Sequence, residues 1–277
     1  MRDLILDALK AASEAHPNLR GYLKGTAAWY AGALALKAGE APDDEQRFRD
    51  ERNLAKKLEQ FFEGQLDRIL REEKRQSKTL SFEFWSEEER ALWEMFSDDF
   101  VGILMHGVNG GISGLGDIAN LINVDNLTSL IIAYGRTYRA DWLKLISETT
   151  RDFVEKSTLE WVASGDPLSE LIKTLSNPEM GVFSKTRAAR IATTEVTRLY
   201  SLGNKLAWEQ SGTVKEFIWQ TANDEAVCPI CGSRHNQVYP LEQMKEIPAH
   251  PNCRCWAKPV VNYEGFANEI DRILAGR

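Results

Sequence analysis

The chain has 277 residues, of which 43% are hydrophobic, so it can bury a substantial core without disulfides or metal ions to hold it together. Its apolar runs are all shorter than the roughly 20 residues of a transmembrane helix, and its opening stretch, MRDLILDALKAASEAHPNLR, lacks the pattern of a secretory signal peptide. We therefore expect a protein of a reducing cytoplasm, outside the membrane. Residues 1–180 hold 22 Lys and Arg against 31 Asp and Glu, whereas residues 181–277 hold 12 against 10, so the acidic first part is not an obvious DNA-binding surface.

The first part of the chain is predicted to be helical. Residues 51–76 place apolar side chains three and four residues apart among charges, the pattern of an amphipathic helix that packs on a core or binds a partner. The apolar positions are Leu54, Leu58, Phe61, Phe62, Leu66, Ile69 and Leu70. A second helix is predicted to begin at Ser86, because Glu89 stands three residues later and completes a capping box.

A glycine-rich stretch, GVNGGISGLG at 107–116, is predicted to end this second helix. It lacks the Lys-Ser/Thr pair and the preceding strand of a phosphate-binding loop. We interpret residues 107–125 as a hinge or loop that follows an N-terminal helical region, residues 1–106. His106 is interpreted as a core or capping histidine, since no second ligand stands three or four residues further on.

Helices are predicted again after this loop, with Gly165 ending one and Pro167 starting the next. Ser184 is the predicted N-cap of a later helix, SKTRAARIATTEVTRLYSLGNKLAWEQSG, on which Glu195 is either a general base or, as we favour, a buried partner of an arginine one turn away. The alternating residues VKEFIWQTA then predict a strand. The fold class is therefore α+β, a mostly helical N-terminal region followed by a smaller α+β domain.

All four cysteines lie in two short pieces, CPICGSRHNQ at 228–237 and HPNCRC at 250–255. A Cys-x-x-Cys turn can point two thiolates at one metal ion, and a second pair of ligands from a distant segment completes a tetrahedron. This spacing predicts a structural Zn²⁺ site. Five residues are available for its four positions: Cys228, Cys231, His250, Cys253 and Cys255.

Other chemistries remain as alternatives. A thioredoxin-like redox pair is expected at a helix N-terminus after a strand in an α/β fold, and structural disulfides need an oxidising compartment. A metal-dependent nuclease of the His-Asn-His type could draw on His235, Asn236, His250 and Asn252, and a zinc-stabilised nucleic-acid-binding module would need no catalysis. No group of residues forms a convincing catalytic constellation, so we do not predict an enzyme.

Three pieces of the sequence together resemble the C-terminal domain of the phage Mu F-like head morphogenesis family, the minor head proteins of tailed phages and prophages. They are SKTRAARIATTEVTRLYSLGNKLAW, the strand that runs into WQTANDEAVCPICG, and IPAHPNCRCWAKPV. The resemblance covers roughly residues 130–260, and HPNCRC after D-E-x-V-C-x-x-C is its most specific part. It divides the chain into residues 1–106, the loop 107–125 and a Mu F-like domain, residues 126–277, with the zinc cluster at 228–255.

Besides the five metal ligands, the resemblance selects a set of motif residues. They are Arg187, Ala188, Ile191, Ala192, Thr194, Glu195 and Arg198 on the helix, and Trp219, Asp224 and Glu225 before the metal turn. The family implies a low-copy structural component of the head, acting in capsid assembly at or near the portal, without a defined catalytic activity. Its implied partners are the portal protein and the major capsid or scaffolding protein.

The resemblance also implies a location. We expect the protein in the virion, in the capsid interior or at the portal vertex, and in the bacterial host cytoplasm during assembly. Some relatives contact packaged viral DNA, for which the candidate contacts here are Arg187, Arg190, Arg198 and Arg234, with Lys205 and Arg254 as further basic residues. The acidic first part is expected to dock on a protein partner instead.

Overall fold

The computed structural model describes residues 44–76, 80–115, 124–222 and 227–261. Five long or medium helices come first: α1 (Asp44–Gln76), α2 (Phe82–Ser113), α3 (Val124–Ser164), α4 (Leu168–Leu175) and α5 (Lys185–Ser211). A small mixed unit follows, with β1 (Val214–Gln220), α6 (Pro229–Arg234), β2 (Val238–Pro240) and β3 (Trp256–Val261). Short 3₁₀ helices span Pro178–Met180 and Leu241–Glu246. The predicted α+β class is confirmed.

The main core lies where α1 and α2 pack on α5. The amphipathic pattern of α1 is confirmed, since Leu54, Leu58 and Phe62 are at most 1% exposed. They meet Phe96 of α2 and Trp208 of α5 in one continuous apolar cluster. Burying each side chain of this size contributes about 1.5–3 kcal/mol, so this three-helix contact is the main source of stability in the described part of the chain.

The second helix begins earlier than predicted. Ser81 is its N-cap, and the Ser81 hydroxyl accepts a hydrogen bond from the Phe84 backbone N–H at 3.2 Å. The predicted start at Ser86 was wrong because Trp85 is an apolar residue that packs in a second small core with Ile69 and Leu171. Burial of that side chain outweighs the local capping signal.

The predicted hinge was wrong for residues 107–113, which belong to α2. Glycine is needed at positions 107 and 111 because α5 crosses α2 so closely that a side chain would not fit between them. A Cβ added to Gly107 would lie 2.7 Å from the Tyr200 Cα, and one added to Gly203 would lie 2.5 Å from the Val108 backbone nitrogen. These glycines therefore serve helix packing. Residues 116–123 of the predicted hinge lie outside the described residues, and the domain boundaries stay a prediction.

Helix ends elsewhere follow the sequence signals. Gly165 ends α3 with a φ of 71°, and Pro167 is the N-cap of α4. Ser184 caps α5 as predicted, its hydroxyl accepting a hydrogen bond from the Arg187 backbone N–H at 3.1 Å. None of the helices in the described ranges is long and apolar enough to cross a membrane.

The predicted strand is confirmed as β1, the central strand of an antiparallel sheet with the order β2-β1-β3. Phe217 pairs with Tyr239 of β2 on one side, and Trp219 pairs with Ala257 of β3 on the other. The chain leaves β1 toward the first cysteine pair and enters β3 directly after the second. The sheet thus brings two segments that are distant in sequence to the same end of the molecule.

Candidate metal centre

The first pair of cysteines lies on a single helical turn. Cys228 is the N-cap of α6, with Pro229 at the first helical position, and the Cys228 thiol accepts a hydrogen bond from the Cys231 backbone N–H at 3.4 Å. Proline at that position fixes φ for the helix and removes an N–H that would have no partner. The two thiols therefore face one side of the turn.

The second group comes from the segment before β3. His250 Nε2 lies 3.1 Å from the Cys228 sulfur and 3.2 Å from the Cys231 sulfur, and the Cys231 sulfur lies 3.8 Å from that of Cys253. His250 Nδ1 lies 2.9 Å from the Pro251 carbonyl oxygen. An Nδ1–H donated to that carbonyl leaves the Nε2 lone pair directed at the thiols, which is how histidines that bind metal ions are usually oriented.

All five predicted ligands are brought together, in two triads that share Cys231. One triad is Cys228, Cys231 and His250, and the other is Cys231, Cys253 and Cys255; within each, the donor atoms lie within 4.8 Å of one another. All four cysteines are free thiols. They border a cavity of about 60 Å³, which is room for a single ion. Thiolates and one imidazole are the donors that Zn²⁺ prefers, and its tetrahedral sites place sulfurs about 3.8 Å apart, so the residues fit a zinc ion.

The electrostatics of the cluster fit a cation as well. Burial, with the neighbouring thiols, raises the pKa of Cys231 to about 12. Hydrogen bonding from the Cys255 thiol and from backbone N–H groups lowers the pKa of Cys253 to about 5. The hydrogen bond to the Pro251 carbonyl and the nearby Cys253 and Cys228 raise the pKa of His250. Several thiolates can coexist in so small a space only if a positive ion compensates their charge.

The centre is fastened to α5 through two threonines. The Asn252 backbone N–H donates to the Thr194 hydroxyl at 2.8 Å, and the Thr197 hydroxyl donates to the Cys253 carbonyl at 2.9 Å. The Arg47 guanidinium of α1 in turn donates to the Thr197 hydroxyl at 2.5 Å. The ligand segment, α5 and α1 therefore form one hydrogen-bonded unit, which the cysteine spacing alone did not reveal.

The family comparison covers this unit. Residues 152–258 match the family model described as Phage Mu protein F like protein. Residues 152–258, called the Mu F-like segment below, are therefore similar to this family. The match agrees with the resemblance found in the motifs, and it begins later than the predicted residue 130. No curated protein and no solved structure matches the chain significantly.

Several motif residues of the Mu F-like segment are structural. The Arg187 guanidinium donates to the Thr150 hydroxyl at 2.9 Å and to the Ile146 and Val182 carbonyls at 2.9 and 2.7 Å, and it lies over the Phe62 ring at 4.7 Å. Burial lowers the pKa of Arg187 to about 10. This arginine therefore joins α3 to α5 and α1.

Trp219 and Arg234 form a second structural contact. Trp219 is 1% exposed, and the Arg234 guanidinium lies over its ring at 4.8 Å while pairing with Glu246 at 3.2 Å. The contact ties α6 to the central strand β1 and to the 3₁₀ helix Leu241–Glu246. Asp224 and Glu225 lie outside the described residues.

The structure also shows the surroundings of the residues considered for redox chemistry and for a nuclease. Cys228 does lie at a helix N-terminus after a strand, as a redox pair would, but the sheet is antiparallel and Cys231 contacts His250 and Cys253. The nuclease candidates have structural partners. His235 Nδ1 accepts from the Thr221 backbone N–H at 3.2 Å, and the Asn236 amide oxygen accepts from Gln220 at 3.0 Å.

Glu195 is buried, 7% exposed, as expected for a structural carboxyl group. Tyr138 donates a hydrogen bond to it, and Arg198 lies 3.5 Å away, which is the predicted arginine partner one turn along the helix. Burial raises the pKa of Glu195 from its ordinary value of 4.5 to about 7, against the weaker opposing effect of Arg198. Between about pH 4.5 and pH 7 the folded protein therefore holds a proton on Glu195 that the unfolded chain has lost.

The raised pKa of Glu195 predicts that the stability of the protein depends on pH. Because the folded-state pKa is raised, the stability associated with Glu195 is fully present below pH 4.5 and is lost as the pH rises through 7, by about 3 kcal/mol in total. Glu195→Gln should remove this part of the pH dependence. The measurement is the free energy of urea unfolding between pH 4.5 and 8, with Glu209→Gln on the same helix as the control. Equal pH profiles for wild type and Glu195→Gln would show that Glu195 titrates normally.

A second buried polar network, near α1, escaped the sequence analysis. The Asp50 carboxylate is 2.8 Å from His106 Nδ1 and accepts a hydrogen bond from the Tyr200 hydroxyl, also at 2.8 Å. His106 is thus held by a structural partner on α1, although its side chain is 38% exposed and does not belong to the core. The sequence did contain a signal for this network, because Arg47 and Asp50 continue the helical stripe of Leu54 and Leu58, which is buried, toward the N-terminus.

Proposed function

We propose that the protein is a phage or prophage minor head protein, a low-copy structural component that acts in capsid assembly at or near the portal. The observation that carries the proposal is the Mu F-like match over residues 152–258 together with the fold of its motif residues. Arg187, Thr194 and Thr197 fasten α5 to its neighbours and to the metal-ligand segment. These side chains hold elements of the fold together, which is what a rigid assembly module requires.

The chain docks, in this proposal, on a protein partner, which is the portal protein or the major capsid or scaffolding protein. Residues 1–180 carry an excess of acidic over basic side chains, which disfavours phosphate contact in that part. Contact with packaged DNA is a secondary role. Of its four candidate arginines, Arg187, Arg198 and Arg234 are engaged within the protein, which leaves Arg190 as the better candidate.

The metal of this module is proposed to be a structural Zn²⁺. We assign its four ligands as Cys228, Cys231, His250 and Cys253, because His250 Nε2 lies 3.1 and 3.2 Å from the sulfurs of Cys228 and Cys231, and the Cys253 sulfur lies 3.8 Å from that of Cys231. Cys255 completes the second triad with Cys231 and Cys253 and is the remaining thiol of the cluster. When bound, the ion would tie the α6 turn to the strand β3, a crosslink in place of a disulfide.

The assembly role predicts that the protein is present in heads and depends on the portal for its retention. Heads purified from cells producing the phage that encodes this chain should contain a few copies of it by quantitative mass spectrometry. Heads assembled without the portal protein should contain much less. A protein that is missing from wild-type heads, or that is equally abundant without the portal, would contradict the proposal.

A further inference from the structure

A large cavity lies beside the metal centre, and Arg190 and Arg198 are among the residues that line it. Its volume is about 680 Å³, and it is bordered by α3, by the turn at 178–182 and by α5. Pro251, which follows the metal-ligand candidate His250, also lines it. Cavities of this size hold a ligand or a few side chains of a partner.

Three arginines line the cavity, and one of them, Arg187, is hydrogen-bonded within the fold. The Arg190 side chain lines it, and its guanidinium makes no hydrogen bond or ion pair with the described residues. Arg198 lines it as well and pairs only with the Glu195 carboxyl group, at 3.5 Å, among the residues the structure describes. Eight residues along a helix correspond to about 12 Å, which is also the span of three to four residues in an extended chain. Along the helix axis the backbones of Arg190 and Arg198 are therefore separated by about the span between two acidic residues at that spacing.

A buried donor in the cavity wall also lacks an acceptor. Trp142 lines the cavity and is 2% exposed, and its indole N–H has no hydrogen-bond partner within the described ranges. A buried N–H without an acceptor costs about 1–3 kcal/mol, so native proteins rarely leave one unsatisfied. A carboxylate oxygen entering the cavity could supply that acceptor.

The remaining lining favours a peptide over nucleic acid. Ile146, Met180 and Ile191 add apolar surface, and Met180 at the rim is 51% exposed and free to adapt to a ligand. The side chains of Glu179 and Glu195 also face the cavity. Carboxyl groups at this position oppose the dense negative charge of a phosphate backbone, whereas a peptide with two acidic side chains separated by an apolar one fits the mixed surface.

We propose that this cavity binds an acidic peptide segment of the head protein on which the chain docks. An Asp or Glu carboxylate of that segment pairs with the Arg190 guanidinium, a second one approaches Arg198, and an intervening apolar side chain packs on Ile146 and Met180. The proposal rests on the proposed function, since it names the contact through which the Mu F-like segment recognises its assembly partner.

The test is a site-specific photo-crosslink within assembled heads. The full-length protein, with p-benzoylphenylalanine in place of Met180, is produced during assembly, irradiated in purified heads and digested for mass spectrometry. We expect a crosslink to one head-protein segment that contains Asp or Glu residues three to four positions apart. Arg190→Glu in the same protein should reduce the crosslink about tenfold or more, because it replaces an attractive charge pair by a repulsive one.

Matched controls separate the failure modes. The same crosslinker in place of Val238, an exposed residue of β2 that does not line the cavity, should not capture this segment. Lys156→Glu, an equivalent charge change outside the cavity, should leave the Met180 crosslink unchanged. With the protein present in heads, the peptide proposal is overturned by a crosslink to DNA, by a non-acidic target, by no crosslink at all, or by full crosslinking in Arg190→Glu. A protein absent from heads refutes the assembly role itself.

Discussion

Cys231→Ser is expected to abolish metal binding and to unfold the unit formed by the sheet and the cysteine cluster. Cys231 is the donor that both triads share, so its loss removes a ligand from each of them. Structural zinc contributes about 10 kcal/mol or more to folding in small zinc peptides. Although the helical core adds its own stability here, loss of the ion should leave residues 214–261 sensitive to protease. Metal content by mass spectrometry, thiol titration and limited proteolysis would measure the effect.

The matched control is Cys255→Ser, which removes a buried thiol of the same cluster that we place outside the ligand set. This variant should keep one metal ion per chain, and Co²⁺ bound in place of zinc should show the spectrum of three sulfurs and one nitrogen. Cys253→Ser should lose the ion. A folded Cys231→Ser protein with a full complement of metal would refute the site, and loss of metal from Cys255→Ser alone would refute the assigned ligands.

Gly203→Ala is expected to be the most damaging single methyl addition in the described helices. The new Cβ would lie 2.5 Å from the Val108 nitrogen and 2.6 Å from the Gly107 carbonyl carbon, both backbone atoms that cannot rotate away. The helices α2 and α5 must then separate and lose contacts in the main core. We expect a loss of about 3 kcal/mol or more in the free energy of unfolding, measured by urea denaturation.

Gly102→Ala provides the control on the same helix α2. A Cβ there meets nothing within 4 Å, so alanine should stabilise the helix by up to about 1 kcal/mol through its higher helix propensity. Opposite effects of the two substitutions would establish that the helix crossing, and not glycine content as such, decides the stability. Equal stability of Gly203→Ala and wild type would show that α2 and α5 do not approach as closely as the structure indicates.

Structural features that depend on residues close together in the sequence could be predicted from the sequence alone. The amphipathic stripe of α1, the cap at Ser184 and the strand at 214–220 each depend on side chains a few positions apart. The metal ligands were predictable for a related reason, since a Cys-x-x-Cys turn presents two sulfurs whatever fold surrounds it. The choice among five donors was not, because it depends on how β1 and β3 align the two segments.

The glycines of α2 show where such prediction fails. Gly107 and Gly111 locally resemble a flexible loop, and only the partner helix α5, far along the chain, explains them as close-packing positions. The cavity beside the metal centre is likewise invisible in the sequence, because its walls come from α3, the turn at 178–182 and α5. The sequence by itself determined the helices, the strand, the metal-binding residue types and the Mu F-like resemblance, all of which follow from short-range spacing. The tertiary structure alone decided how closely the helices approach, which donors meet and where Arg190 and Trp142 come together, because these depend on contacts between residues distant in the chain.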